Sequence, residues 1–307
     1  MSHRCALVVS LSILIAPHAL LPGASPALAS VAPRVQPADE VFPGAKRVES
    51  RSYEIVYTVP DEEIVPIGRH MDAVHAEYSK RMRGFKPRNN NRSPLYVFAT
   101  QEQYMAYLAT QGIDGSGSAG MFYWRGEESG LVVFTEGHTE RSLNALLQHE
   151  GFHQFARQRL GEHLPTWANE GLAEYFERGV VEDGEFRTGY ASDRDVQRLR
   201  ELVREGELIG TEDLLTMASS TWNHNVRTSS GDAWKQYLQA WAFVQFFVHA
   251  DRGRYQPYFL DFMKKLAQGQ DAPTAFKRAF RVRDFSRVDA AYRTYLDREL
   301  RQGLPVR

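Results

Sequence analysis

The chain has 307 residues, 43% hydrophobic and 12% aromatic, an ordinary globular composition with apolar material for one large domain or two small ones. Its formal net charge of −1 is too balanced to argue for a nucleic-acid partner or an anionic membrane surface. Cys5 is the only cysteine, which excludes a disulfide framework and leaves stability to the core.

The N-terminus runs Met1-Ser2-His3-Arg4, then an apolar stretch from Cys5 to Leu21, then the small-residue sequence Ala27-Leu28-Ala29. That is the layout of a secretory signal peptide, residues 1–29, with cleavage expected after Ala29 and an exported product, periplasmic or secreted. Pro17 and His18 break the apolar run, which is short for a membrane span, so no stable membrane insertion is expected once the segment is removed. Residues 30–45 are rich in Pro and Ala without periodicity and read as a flexible leader.

Regular structure is expected from near Arg51, in an N-terminal α/β subdomain spanning 46–137. Tyr53, Ile55, Tyr57 and Val59 alternate as in a strand, and Ile64, Ile67, Met71, Val74 and Tyr78 recur at helical spacing over 61–83. Residues 86–94 read as a loop, Leu95-Tyr96-Val97-Phe98 as a strand and 102–110 as a short helix. Met121-Phe122-Tyr123-Trp124 and Leu131-Val132-Val133-Phe134 fit neighbouring strands. Residues 130–135 are either an edge strand able to pair with an extended ligand or, being a continuous apolar run, a strand wholly inside the sheet.

A helix is expected to open at Thr139, a good N-cap, and it carries His149-Glu150-Gly151-Phe152-His153. This matches H-E-x-x-H, in which two imidazoles one helical turn apart reach a single cation. Glu150 projects about 100° away, beside the ion, where a base belongs. Leu143, Leu146, Leu147, Phe152 and Phe155 place apolar groups on most faces, so this helix should be buried and its polar groups need compensation, which a dication supplies. A second helix begins within Leu164-Pro165-Thr166-Trp167 and carries Glu170 and Glu174. Hydrolytic zinc sites use three protein ligands and leave one position open, and His149, His153 and Glu170 complete that set. Glu174 lies one turn further on the same face and can accept a hydrogen bond from the non-ligating nitrogen of a zinc-bound histidine.

Two blocks, His149-Glu150-x-x-His153-Gln154 and Leu164-Pro165-x-Trp167-x-x-Glu170-Gly171-x-Ala173-Glu174-Tyr175, resemble the gluzincins of the peptidase MA clan, in particular their exported bacterial members. The resemblance is tight over about residues 130–178 and implies a zincin-like fold and one Zn2+ ion acting on a peptide or protein substrate. A metzincin is rejected, because its longer signature requires Gly and His where this chain has Ala156 and Arg159. His163 reads as a surface loop residue.

In the mechanism so implied, Glu150 takes a proton from zinc-activated water and passes it to the departing amine. Gluzincins often place a Tyr or His beside the oxyanion, and Tyr237, at the start of a long apolar helix, is the first candidate here; His224, in an expected loop, is the second. The remainder, within a subdomain spanning 138–307, reads as helices at 193–204, 211–217, 233–249, 255–267, 272–280 and 285–300. The fold class expected is α+β: a small mixed α/β N-terminal half, a central metal-binding helix and a mostly helical C-terminal half. A zinc hydrolase acting on a non-peptide amide of the cell envelope, and a non-catalytic metal-containing envelope binding protein, are the alternatives.

Overall fold

The computed structural model describes residues 35–126, 128–162, 164–182, 185–228 and 233–303. The expected signal peptide and His163 lie outside the described residues. The fold is α+β, with a six-stranded sheet in the N-terminal part and a mostly helical C-terminal part. No helix among the described residues is long and apolar enough to cross a membrane.

Packing divides the chain into two compact units. The first comprises the described residues up to Lys80, with 89–154 and 181–186. Its sheet has the order β1-β2-β3-β4-β6-β5, made of β1 (Gln36–Pro37), β2 (Lys46–Glu49), β3 (Tyr53–Tyr57), β4 (Ser93–Phe98), β5 (Gly120–Arg125) and β6 (Glu128–Phe134). The pairs β3/β4 and β4/β6 are parallel and the others antiparallel. The period of two distributes the side chains. Ile55, Leu95, Val97, Leu131 and Val133 pack with Ile64, Ile67 and Met71 of α1 (Asp61–Arg81) and with Leu143, Leu146 and Leu147 of α3 (Glu140–Arg159). Phe98, Val132, Phe134, Met121 and Tyr123 turn to the other face and meet Tyr104, Tyr107 and Leu108 of α2 (Gln101–Thr110).

Two expectations change. Residues 36–45 are not a flexible leader: β1 pairs with β2, and Ala38 and Ala45 pack on Val56, so this segment extends the sheet despite its Pro/Ala composition. Of the two readings of residues 130–135, the strand inside the sheet holds. β6 lies between β4 and β5 with its apolar run covered on both faces, and β5 forms that end of the sheet. The sequence also suggests a boundary at 137/138, whereas α3 groups with the sheet as far as Gln154 because its leucines pack there.

The second unit comprises the described residues of 81–88, 155–180 and 187–303. It is built around α8 (Ala233–Gly253), which packs against α4 (Thr166–Glu177). Phe243, Phe246 and Phe247 of α8 form an aromatic core with Trp167, Phe259, Phe276 and Tyr292. Regular helix in α8 ends at Ala250, and Asp251 and Arg252 take left-handed φ of 47° and 56°. Buried glutamines anchor α8 to its surroundings: Gln236 donates to the Trp222 carbonyl, Gln239 accepts from the Ile209 amide and Gln245 donates to the Gly189 carbonyl. α5 (Asp193–Glu205), α6 (Thr211–Thr216), α9 (Gln256–Ala267) and α10 (Ala272–Phe280) follow the expected spans closely, whereas of the helix expected over 285–300 only α11 (Ser286–Thr294) is α-helical and Tyr295–Glu299 continue it as a π-helix. α7 (Ser219–Arg227) replaces the loop expected around His224.

Candidate metal centre

α3 begins as expected, with the Thr139 hydroxyl accepting from the Ser142 amide at 3.2 Å. Every residue from Leu146 to Ala156 is buried, so the helix carries its polar motif through the interior. Three features hold it there. The Tyr78 hydroxyl donates to the Gln148 carbonyl, and the Gln154 carboxamide donates to the Pro94 carbonyl of β4 at 2.8 Å. Gly151 provides the third: a Cβ there would lie 2.8 Å from the Met71 methyl and 3.3 Å from the Tyr78 hydroxyl. The glycine costs about 1 kcal/mol of helix propensity and lets α1 approach the motif closely.

His149 and His153 stand one turn apart with ring centroids separated by 4.9 Å. Each of His149, His153 and Glu170 offers one ligand atom, and these three atoms all lie within 4.8 Å of one another. All three residues and Glu150 are buried, none more than 4% exposed. Burying two imidazoles and two carboxylates in one neighbourhood carries a desolvation cost that a cation offsets. The donor set of two nitrogens and one carboxylate oxygen fits a borderline dication such as zinc, and the fold therefore contains a buried site able to hold a metal ion.

Glu150 is held differently. Its Oε2 accepts the backbone N–H of Phe122 at 3.0 Å, which fixes the carboxylate against β5. Since the Phe122 N–H points to Glu150, it points away from β6, and the alternation of an antiparallel pair turns the backbone groups of Gly120 and Trp124 the same way. Gly120 makes the approach possible, because a Cβ there would lie 2.9 Å from Val133 Cγ1 and 3.0 Å from Leu146 Cδ2. A backbone donor cannot be read from a sequence, and nothing in the residue pattern around Phe122 marks it.

On α4, Gly171 sets the spacing from α8: a Cβ at this position would fall 2.5 Å from the Ala240 carbonyl oxygen. Tyr237 lies one turn before Ala240, half-buried, with its ring edge-on to Trp222 at 5.0 Å. His224 is exposed on α7, outside the helix core. Glu174 forms an ion pair with Arg178, and a carboxylate oxygen from each of Glu174 and Glu177 falls with a ring nitrogen of His149 in a second group of atoms within 4.8 Å of one another. Arg178 also contacts Asp195 at 3.4 Å and lies over the Trp241 ring at 4.7 Å. Burial pulls its pKa down, but Glu174, Asp195 and Glu177 together hold it above the ordinary arginine value. The sequence signal for Arg178 is the i,i+4 spacing from Glu174.

Two histidines off the motif are kept neutral. Burial lowers the pKa of His70 to about 4, opposed by a hydrogen bond with Gln148. Burial, aided by the charge of Arg81, lowers that of His249 to about 3, and its Nε2 lies 2.9 Å from the Tyr175 hydroxyl.

No curated protein matches the chain. A family model described as "Protein of unknown function (DUF1570)" matches residues 144–270, less than half of the chain, and takes in His149, Glu150, His153, Glu170, Glu174 and Tyr237.

Proposed function

We propose that the protein is an exported zinc-dependent metallopeptidase. The observation that carries this reading is the buried convergence of His149, His153 and Glu170, with Glu150 beside them and outside the three-residue set. The resemblance of the two sequence blocks to gluzincins supports it.

In this reading His149, His153 and Glu170 would hold one zinc ion. Bound zinc supplies Lewis acidity, making water more acidic and a carbonyl more electrophilic. Glu150 is the general base: it takes a proton from the attacking water and delivers it to the departing amine nitrogen as the carbon–nitrogen bond breaks. The Phe122 N–H orients that carboxylate before substrate arrives, so no reorganisation is needed at the moment of transfer. β5, at the end of the sheet, offers backbone groups to an extended peptide. Tyr237 is the candidate donor to the developing oxyanion. An intact glutamate next to the histidines argues against a purely structural ion, which would take a closed ligand set and need no base.

The test is metal analysis of the purified protein, followed by digestion of a peptide library with and without chelator. Chelator-sensitive cleavage is expected. Stoichiometric zinc with no peptide cleaved would move the reading to a non-peptide amide or a binding role, and absence of bound metal would end it.

A further inference from the structure

The charge balance of the whole chain hides a local excess. Between Glu77 and Glu102 stand six cations, Lys80, Arg81, Arg83, Lys86, Arg88 and Arg92, and no Asp or Glu. Towards the two ends of this run Lys80 pairs with Glu77 at 3.3 Å and Arg92 with Glu49 at 3.0 Å. Arg83, Lys86 and Arg88, between them, are exposed and form no ion pair among the described residues.

The segment that carries them is anchored. Met82 and Phe85 are buried, the Phe85 carbonyl accepts from Arg159 Nη1 at 3.0 Å, and the Arg88 amide donates to the Gln158 carbonyl at 3.2 Å. α9, in the same compact unit, adds a fourth cation. Lys264 is exposed, likewise without an ion pair among the described residues, and its ammonium stands at Gly84, where a Cβ would lie 3.4 Å from Nζ. The Arg88 guanidinium reaches Gly161 beyond α3, where a Cβ would lie 2.9 Å from Nη2. The acids flanking Gly161 and Lys264 are engaged elsewhere: Glu162 pairs with Arg157 at 2.5 Å and Asp261 with Lys265 at 3.4 Å. Four like charges held together repel one another, whereas an ordinary solvated face intersperses both signs.

We propose that Arg83, Lys86, Arg88 and Lys264 form a docking surface for a flexible phosphate polymer. The chemistry of the surface selects this partner. Guanidinium forks match phosphate oxygens, and the two lysines add point charges. The exposed large hydrophobic residues Val35, Val181 and Tyr258 lie outside 81–88 and outside the turn of α9 that carries Lys264, so a bilayer would find no apolar anchor here. Phe85, the one aromatic residue of 81–88, is buried and cannot stack a base, as single-stranded nucleic acid requires. The surface is independent of the metal reading above.

The experiment titrates labelled long-chain inorganic polyphosphate with the purified protein and follows anisotropy at several salt concentrations. Each phosphate contact to a flexible polyanion contributes about −0.7 to the slope of log affinity against log salt, so four contacts predict a slope of about −3 and roughly 50-fold weaker binding at about 200 mM than at about 50 mM salt. Arg83→Gln/Lys86→Gln/Arg88→Gln should reduce the slope by about 2, and Lys264→Gln alone by about 0.7. Arg281→Gln/Arg283→Gln/Arg287→Gln removes the same charge from exposed positions between α10 and α11 and should bind like wild type. The proposal is overturned if wild type does not bind, or if the two triple variants lose affinity equally. Tighter binding to anionic phospholipid vesicles, or to a single-stranded oligonucleotide, than to polyphosphate at equal phosphate also overturns it. If the first triple variant is unfolded by circular dichroism, Lys264→Gln decides, and an unchanged slope there overturns the proposal.

Discussion

Gly171 sits beside the proposed ligand Glu170 and sets how closely two helices approach. In Gly171→Ala the new methyl would lie 2.5 Å from the Ala240 carbonyl oxygen, 2.8 Å from the carbonyl carbon and 3.2 Å from the Ala240 Cβ. Normal carbon–oxygen contact is about 3.5 Å, so α4 and α8 must part by roughly 1 Å. The obstacle is backbone and cannot swing aside. Overpacking of this kind costs about 3 kcal/mol, and the better helix propensity of alanine returns about 1, leaving a net loss of about 2 kcal/mol. Gly151→Ala is the contrast: its closest neighbour is the Met71 methyl, the mobile end of a flexible side chain, and alanine's propensity gain offsets the adjustment to within about 1 kcal/mol. Urea unfolding of the metal-free proteins, compared at constant slope, reads both numbers. Zinc affinity should also fall about tenfold in Gly171→Ala as Glu170 shifts with its helix. A Gly171→Ala midpoint equal to wild type, or a larger loss in Gly151→Ala, refutes the close-approach argument.

Glu150→Gln should keep zinc and lose nearly all hydrolysis, since it removes the base and preserves an acceptor for the Phe122 N–H; unchanged turnover on a cleaved peptide contradicts the mechanism. Tyr237→Phe should lower turnover while the unfolding midpoint and zinc content stay close to wild type, and equal turnover eliminates the oxyanion role. His249 should make the protein acid-labile above the carboxylate range. Its folded pKa of about 3 lies below the ordinary 6.5, so the unfolded chain takes up a proton first as pH falls, and stability present above 6.5 is lost toward 3. Between pH 6.5 and about 4 the loss is on the order of 3 kcal/mol, and His249→Gln should flatten that limb of the stability–pH curve; identical slopes would falsify the assignment.

Much of this fold is legible in the residue pattern because its long elements each bury a face in one period. α1 shows its apolar stripe from Ile64 to Tyr78, β3 alternates between α1/α3 and the Ala38–Ala45 segment, and β4 alternates between α1/α3 on one side and α2 on the other. The candidate metal ligands are readable for a related reason: His149 and His153 are fixed by helical geometry, and Glu170 lies on the helix that follows. Elements set by tertiary pairing are not readable in this way. β7 (Val180–Glu182) and β8 (Glu185–Arg187) are three residues each, too short to show a period. α7 buries little beyond Trp222, so its polar residues resemble a loop. Which strand ends the sheet depends on β5 folding back outside β6, a matter of topology that the apolar run of β6 leaves open. The Phe122 N–H belongs to every non-proline residue alike, and only three-dimensional proximity gives it a role.

The proposed donor set is nitrogen and oxygen throughout, and the chain's single sulfhydryl stands at Cys5, far ahead of the motif. Peroxide and other thiol oxidants therefore find no sulfur to attack among the proposed ligands. Protons are the opposing hazard. Imidazole must be unprotonated to coordinate, so mild acidification should release the ion long before any oxidant does.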